Sequence, residues 1–478
     1  MATKNQFLRD YIKAIRDGNA AVFAGAGLSR PSGFVIWKEL LRPLAKDIGL
    51  NIDDEHDLTA VAQYVRNKSG NRSSINSAIL DAYSKDVESN ENVSILTRLP
   101  IYTYWTTNYD KLIEKGLCDA KRNPDVKIDY KQLSNTKRDR DAVVYKMHGD
   151  VEHVADAVLT KDDYVQYERS HPFFRSVLQG DLISKTFVFI GFSFEDPNLD
   201  SILNQIRLLL DDNIRNHYCF MKRVAKTDEM DDESFGYQKA RQDLREEDLK
   251  RYGIQTIFVD DYSEITEILK ELESAVLANN IFISGSADVF DEVWWKSKVE
   301  ALAYKLANQL VKEEFRVTSG FGLGIGSSVI NGALDEIYSS SCKRISDYLC
   351  LRPFPQGIVD VEERKSKWTK YREDIIKENG VAIFMMGNKS VDGKKTIADG
   401  CYQEYQIAKN NNCMLIPIGS TGDAAKTIYD EMRNNKEDYP YLEKYFDILG
   451  TETDIDKLVE IVVDIVKTKR ALWIWQEY

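Results

Sequence analysis

The sequence predicts an α/β protein made of two doubly wound domains in tandem. Three observations lead there. Short, mostly uncharged runs of apolar residues recur along the chain, and runs apolar on both faces suit parallel strands covered by helices on each side. Helically spaced apolar residues fill the stretches between them. A fresh series of such runs begins at Ile281, directly after a helical stretch, and 478 residues suffice for two or three domains.

In the first half, strands are expected at Ala20–Ala24, Tyr102–Thr106, Ala142–Met147, Thr186–Ile190 and Ile254–Val259, with helices at Trp37–Ile48 and Pro197–Leu210. Lys222–Glu247 is densely charged, and Phe235–Leu249 reads as an exposed helix or a mobile excursion. A helical pattern from Glu264 to Leu277 ends at Ala278-Asn279-Asn280, which places the boundary near residues 276–281 and the domains at 1–278 and 279–478. The second half repeats the style. Its strands are expected at Ile281–Ser284, Arg316–Ser319, Tyr348–Leu351, Val381–Met386 and Met414–Ile418, and its helices include Trp294–Glu313 and Ile325–Ser339.

Composition narrows the function. The chain is 43% apolar and 29% charged, as ordinary globular proteins are. Sixty-four Lys and Arg against 77 Asp and Glu leave a net charge of −13, which disfavours nucleic acid and anionic membrane as partners. The longest apolar runs, such as Phe187–Phe192, fall far below the ~18–20 residues that span a bilayer, and the first residues lack an apolar signal core. A cytoplasmic protein is expected. None of the six cysteines forms a C-x-x-C pair, so they read as buried thiols and no metal site is expected.

Ligands of open parallel sheets bind beyond the carboxyl ends of the strands. Four first-half strands are followed there by Ala24-Gly25-Ala26-Gly27-Leu28-Ser29, Thr107-Asn108-Tyr109-Asp110, His148-Gly149-Asp150 and Gly191-Phe192-Ser193-Phe194. The glycine loop suits a pyrophosphate, because its backbone can approach closely and exposed N–H groups bind oxygen anions; its plainer reading is a tight turn. His148, one of five histidines, suits proton exchange near neutral pH. The Asn108 amide can hold a ribose hydroxyl, a carboxamide or a water. Asp110 sits on the same rim and reads equally as the N-cap of the helix that follows. In the second half, Thr318-Ser-Gly-Phe-Gly-Leu-Gly-Ile-Gly326 suits a nucleotide phosphate at a helix N-terminus.

These residues carry a resemblance. Gly25-Ala-Gly-Leu-Ser29 with Gly33 and Trp37, then Thr106-Thr-Asn-Tyr-Asp110, His148-Gly149 and Gly191-Phe-Ser193, resemble the NAD-binding fold of the sirtuin (Sir2) family over residues 8–275. The chain departs from protein deacetylases in lacking their paired C-x-x-C zinc module and in having Val35-Ile-Trp-Lys38 where those enzymes carry an Asp-Phe-Arg-like segment. The resemblance implies cleavage of the nicotinamide–ribose bond, with water in place of an acyl oxygen. NAD+ would thus be the substrate and no further cofactor is needed. It assigns His148 as general base to a ribose hydroxyl or the water, and Asn108 to the water or the nicotinamide ribose. Ala24, Gly25, Gly27 and Ser29 would contact the pyrophosphate, Ser193 the adenosine half, and Asp110 the same ligand.

Residues 279–475 resemble the SLOG family of Rossmann-like domains. Catalytic members carry P-G-G-x-G-T-x-x-E; here Met386-Gly-Asn-Lys389 leads to Asp399-Gly-Cys-Tyr-Gln-Glu404, which favours ligand sensing over hydrolysis. A Sir2 domain followed by a SLOG domain resembles the effectors of Thoeris antiphage defence. That resemblance implies a tetramer assembled through Sir2 domains, silent until a cyclic ADP-ribose isomer from a TIR-domain partner binds the SLOG domain, after which NAD depletion arrests or kills the infected cell. Arg372, Lys389 and Glu404 match the signal-binding positions, with Gly285 and Ser286 on the same rim. Two phosphates would go to Arg372 and Lys389, and ribose hydroxyls to Glu404. The competing readings are a protein deacylase, a regulator that binds NAD or ADP-ribose without consuming it, and a SLOG half that cleaves nucleotide monophosphates.

Overall fold

The computed structural model describes residues 2–194, 196–210, 214–227, 230–355 and 357–474. Its contacts divide the chain into two compact units, Met1–Glu273 and Ser274–Tyr478.

The first unit is a parallel sheet of β1 (Ala20–Ala24), β2 (Thr103–Thr106), β3 (Pro124–Lys127), β4 (Ala142–Lys146), β5 (Thr186–Ile190), β6 (His217–Lys222) and β7 (Ile254–Val259), in the order β3-β4-β2-β1-β5-β6-β7. The central strands β1 and β5 are buried along their whole length, as expected for Ala-Ala-Val-Phe-Ala and Thr-Phe-Val-Phe-Ile with helices over both faces. One core gathers Phe23, Trp105, Phe174, Phe187 and Phe189, and a second gathers Leu41, Val61, Ile75 and Tyr109. The two strands that the sequence pattern does not reveal are β3 and β6, because each carries polar residues. Asp125 and Lys127 lie buried in β3 as an ion pair of 2.8 Å, and Pro124 takes the first position of this edge strand, where a missing N–H is harmless. The charged excursion resolves as a helix, Asp232–Arg251, capped by the Asp231 side chain and ending in Lys250 and Arg251.

The second unit holds a parallel sheet of β8 (Asn280–Ser284), β9 (Arg316–Ser319), β10 (Leu349–Leu351), β11 (Val381–Phe384) and β14 (Met414–Pro417), in the order β10-β9-β8-β11-β14. Between β11 and β14 runs an antiparallel hairpin, β12 (Asn388–Val391) and β13 (Lys394–Ile397), that the strand reading misses. Its turn is Asp392-Gly393, both at positive φ, the pairing that a two-residue hairpin favours. Helices Lys296–Lys312 and Gly326–Ser339 approach so closely that a Cβ on Gly332 would lie 2.1 Å from the Tyr304 carbonyl oxygen.

Both units are therefore doubly wound α/β domains. The cysteines correct one expectation: Cys219, Cys401 and Cys413 are buried, whereas Cys118 and Cys342 are exposed and Cys350 is half-buried. Among the described residues no helix is long and apolar enough to cross a membrane.

His217 opens β6 fully buried, its Nδ1 accepting the Phe187 N–H at 3.2 Å. Burial, helped by Arg215, pushes its imidazolium down to about 3 from the ordinary 6.5. The unfolded chain therefore takes up a proton that the folded chain refuses, and stability falls as pH drops from about 6.5 toward 3. His217→Asn, whose Oδ1 can replace Nδ1 as acceptor, should flatten that acid limb in thermal unfolding followed against pH.

Candidate active site

In the first sheet the direction of winding reverses between β1 and β5, so the crevice lies beyond their carboxyl ends. Here the two loops touch without side chains between them. Gly191, at φ +63°, would put a Cβ 2.1 Å from the Leu28 N, and a Cβ on Gly25 would lie 2.4 Å from the Gly191 carbonyl oxygen. The Gly25 N–H donates to the Ile190 carbonyl at 3.0 Å and the Gly27 N–H to the Gly191 carbonyl at 2.9 Å. Both N–H groups are thus engaged within the fold. These amides are taken by the end of β5 and the loop after it, and the lack of side chains at Gly25 and Gly27 serves that contact.

The same contact sets Ser29. The glycine turn runs into a short helix, Ala26–Ser29, and buries the Ser29 hydroxyl beside the β2 loop. Asn108 Nδ2 donates to Ser29 Oγ at 3.0 Å and to the Gly25 carbonyl at 3.1 Å, while the Asn108 N–H donates to Thr106 Oγ1 at 3.0 Å. The amide is thus locked from the nitrogen side. Asp110 is buried, its Oδ1 accepting the Leu112 N–H at 3.0 Å; it stands one position before the N-cap, which is Lys111, and this corrects the N-cap reading of Asp110. Its Oδ2 is buried with no hydrogen-bond partner among the described residues. Burial raises the Asp110 carboxyl above its ordinary range, against the opposing pull of Lys146.

His148 follows β4 and is completely buried, with the Trp37 ring 5.7 Å away and Tyr164 edge-on at 5.5 Å. Its Nε2 lies 3.0 Å from Asp196 Oδ2. Asp196 also caps the helix Pro197–Leu210, accepting the Asn198 and Leu199 N–H groups at 2.9 and 3.0 Å, and takes the Tyr164 hydroxyl at 3.1 Å. Burial alone would raise the Asp196 carboxyl; the His148 ring and these donors outweigh it and hold it below the usual carboxylate range. Neither ring nitrogen of His148 makes a hydrogen bond of regular geometry among the described residues, so the approach of Nε2 to Asp196 is a charge contact and Nδ1 is not engaged. Asp196 escapes the motif reading because it follows the Gly-Phe-Ser segment. An Asp directly before a helix-opening Pro is the signal that could have found it.

Ser193 is exposed and its carbonyl accepts from Arg245. It lines a cavity of about 820 Å³ with Phe192, Phe220, Lys222, Tyr237 and Arg241, beyond the ends of β5, β6 and β7. Ala24 ends β1 fully buried, its carbonyl accepting the Thr106 hydroxyl at 3.0 Å.

The second sheet has its own reversal, between β8 and β11, and Gly285 and Ser286 follow β8 there. A Cβ on Gly285 would lie 2.3 Å from the Met385 carbonyl oxygen, and Ser286 Oγ donates to the Asn388 carbonyl at 3.0 Å. Glu404 is buried, accepting Ser284 Oγ at 2.6 Å and Arg372 Nε at 3.3 Å, and burial raises its carboxyl despite both. The Arg372 guanidinium lies over Phe354 at 5.0 Å and Trp368 at 5.8 Å, with Nη1 donating to Gln403 at 3.1 Å. Glu404 therefore braces Arg372 and holds Ser284. Lys389 stands on the hairpin, ion-paired to Asp399 at 2.7 Å. Among the described residues no group of His, Cys, Asp or Glu is arranged to hold a metal.

Comparison with known proteins matches both halves. Residues 102–257 fit the model of a SIR2-like domain, and residues 264–469 that of the Sir2- and TIR-associating SLOG family. The chain is 44% identical to the NAD(+) hydrolase ThsA of Cytobacillus dafuensis over 99% of its own length and 97% of that protein. To the NAD(+) hydrolase ThsA of Bacillus cereus (strain MSX-D12) it is 43% identical, covering 96% and 97%. The chain belongs to the ThsA family of NAD(+) hydrolases. The likeness reaches, at 25% identity over 62% of the chain, the defense-associated sirtuin 2 of Bacillus subtilis.

Within a ThsA-family fold the His148–Asp196 pair makes a sharp demand. Asp196→Asn preserves the helix cap through Oδ1 but presents an amide to Nε2 and removes the negative charge beside the ring. NAD+ turnover should fall by roughly 10²–10⁴-fold, as for loss of general base catalysis. Circular dichroism should stay unchanged while nicotinamide release is timed.

Proposed function

We propose that the amino-terminal unit hydrolyses NAD+ to nicotinamide and ADP-ribose with His148 as general base, and that the carboxyl-terminal unit switches this activity on when it binds a cyclic ADP-ribose isomer. The observation that carries the reading is the buried Asp196–His148 pair on the switch-point rim of a ThsA-family chain.

The chemistry follows from the atoms. The bond between ribose C1′ and the nicotinamide nitrogen breaks with its electron pair going to nicotinamide, and an oxocarbenium-like ribose develops. Water bonds to C1′ and its proton passes to His148 Nδ1, while Asp196 steadies the imidazolium. Asn108, with its nitrogen side tied to Ser29 and Gly25, offers Oδ1 to orient that water. A residue held from both ends loses little freedom at the moment of reaction. Ala24, Ser29 and the cavity beside Ser193 would take the pyrophosphate and adenosine portions.

For the sensor, Arg372 and Lys389 supply two cations beside Gly285 and Ser286, which suits a ligand with two phosphates. Glu404 fixes the guanidinium from behind. Gating requires that the signal bind the active and silent arrangements unequally. The wider reading is an antiphage effector: a homotetramer in the cytoplasm, triggered by a signal from a TIR-domain partner, that ends infection by consuming NAD+.

One assay tests the core. Full-length protein is incubated with NAD+, with and without a cyclic ADP-ribose isomer, and nicotinamide is followed. Release that depends on the isomer and needs no acylated peptide is expected. Release only with the peptide would make the protein a deacylase, and binding without release would make it a regulator. His148→Ala should lower turnover by at least ~10²-fold. Arg372→Ala should abolish activation and spare NAD+ binding; a normal response to signal would remove Arg372 from the sensor.

A further inference from the structure

One buried cation in the first unit has no part in the chemistry above. Lys146 is the last residue of β4, two positions before His148. Alternation along this strand turns Ala142, Val144 and Lys146 inward, so the lysine occupies a slot that would ordinarily take an apolar side chain. It is fully enclosed. Its Nζ donates to the carbonyl oxygens of Tyr109 at 3.3 Å and Asp110 at 2.5 Å, to Glu114 Oε1 at 3.1 Å, and to the Asp150 carboxylate.

Three of these acceptors belong to the loops that carry the reacting groups, and Glu114 stands on the helix Leu112–Asp119 that follows the first loop. Tyr109 and Asp110 directly follow Asn108. Asp150 directly follows His148-Gly149 and also caps the turn at Val151, accepting the Glu152 N–H at 2.8 Å. Two backbone bonds help the lysine join the loops: the Met147 N–H to the Thr106 carbonyl at 2.9 Å and the Val151 N–H to the Tyr109 carbonyl at 3.0 Å.

We propose that Lys146 is a positioning residue for NAD+ hydrolysis: its buried ammonium ties the Asn108 loop to the His148 loop and sets the distance between the two reacting side chains. A charged donor gives shorter and stronger hydrogen bonds than a neutral one, and an enclosed site leaves no water to replace them. Burial favours the neutral amine, but Glu114, Asp150 and Asp110 more than compensate, so the lysine stays protonated. The inference rests on His148 and Asn108 as the reacting pair.

The test uses the full chain under activating conditions and compares Lys146→Met/Asp150→Asn with Asp150→Asn alone. The double change removes the lysine charge together with one of its counter-charges, and the amide introduced by Asp150→Asn retains an oxygen for the cap. Expected are a thermal midpoint and a KM for NAD+ close to those of Asp150→Asn, with kcat lower by about 10²-fold, the size of effect that a misplacement of ~1 Å can have. Lys146→Gln, which keeps an uncharged donor to the two carbonyls, should recover part of kcat. A kcat within about threefold of Asp150→Asn overturns the proposal. So does a kcat that merely tracks the thermal midpoint across all variants, because that is what a purely structural lysine would do. His148→Ala is run in parallel. If it keeps turnover, the reacting pair is wrong and the positioning role falls with it; if it loses turnover while the lysine variants do not, only the role of Lys146 is lost.

Discussion

The first unit depends on a contact with no room for a side chain. Where β1 and β5 end, Gly25, Gly27 and Gly191 meet backbone to backbone, and each N–H of Gly25 and Gly27 finds a carbonyl of the opposite loop. A methyl group at Gly25 or Gly191 would collide with main-chain atoms, which cannot swing aside. This closure delivers Ser29 to Asn108, and Asn108 in turn bonds back to Gly25. The rim is therefore assembled as one hydrogen-bonded piece. Glycine here has a packing role as well as any role toward a phosphate.

A second feature is the use of buried charge to hold loops in place. Lys146 with Asp150, and Asp196 with His148, are sealed from solvent, and Glu114 reaches Lys146 from a partly buried position. Such groups are stable only when every partner is supplied, since an unpaired buried charge is severely unfavourable. That requirement makes the arrangement narrow in geometry, which suits an enzyme whose task is to align a water with an anomeric carbon. Asp196 illustrates the economy of the design: one carboxylate caps a helix, accepts a tyrosine hydroxyl and approaches the histidine ring to 3.0 Å.

The two units apply the same topological device to different ends. In each, some of the candidate residues follow the strands between which the winding of the parallel sheet reverses, Gly25 and Ser193 in the first and Gly285 and Ser286 in the second. In the first unit the candidate groups include a histidine backed by a carboxylate, which can move a proton. In the second they are an arginine stacked on two aromatic rings and braced by a glutamate, a set that can hold an anion while its carboxylate is already engaged.

Much of this was legible in the sequence. Uncharged runs such as Thr186–Ile190 announce parallel strands because both their faces must be covered, and the residues after them announce the rim. The strands β3 and β6 were hidden because their polar residues become acceptable only after folding pairs Asp125 with Lys127 and seals His217 away from water. His148 could be singled out from its place after a strand. Asp196 could not be joined to it, since the two stand 48 positions apart and no periodic signal links them. Glu404 read as a ligand group, and only the fold shows it facing Arg372 and Ser284. Local pattern is enough to determine where strands run and which loops reach the rim, because burial acts residue by residue. Which ionisable groups face one another was decided only by tertiary structure, because charge pairing depends on distances that the order of residues along the chain does not specify.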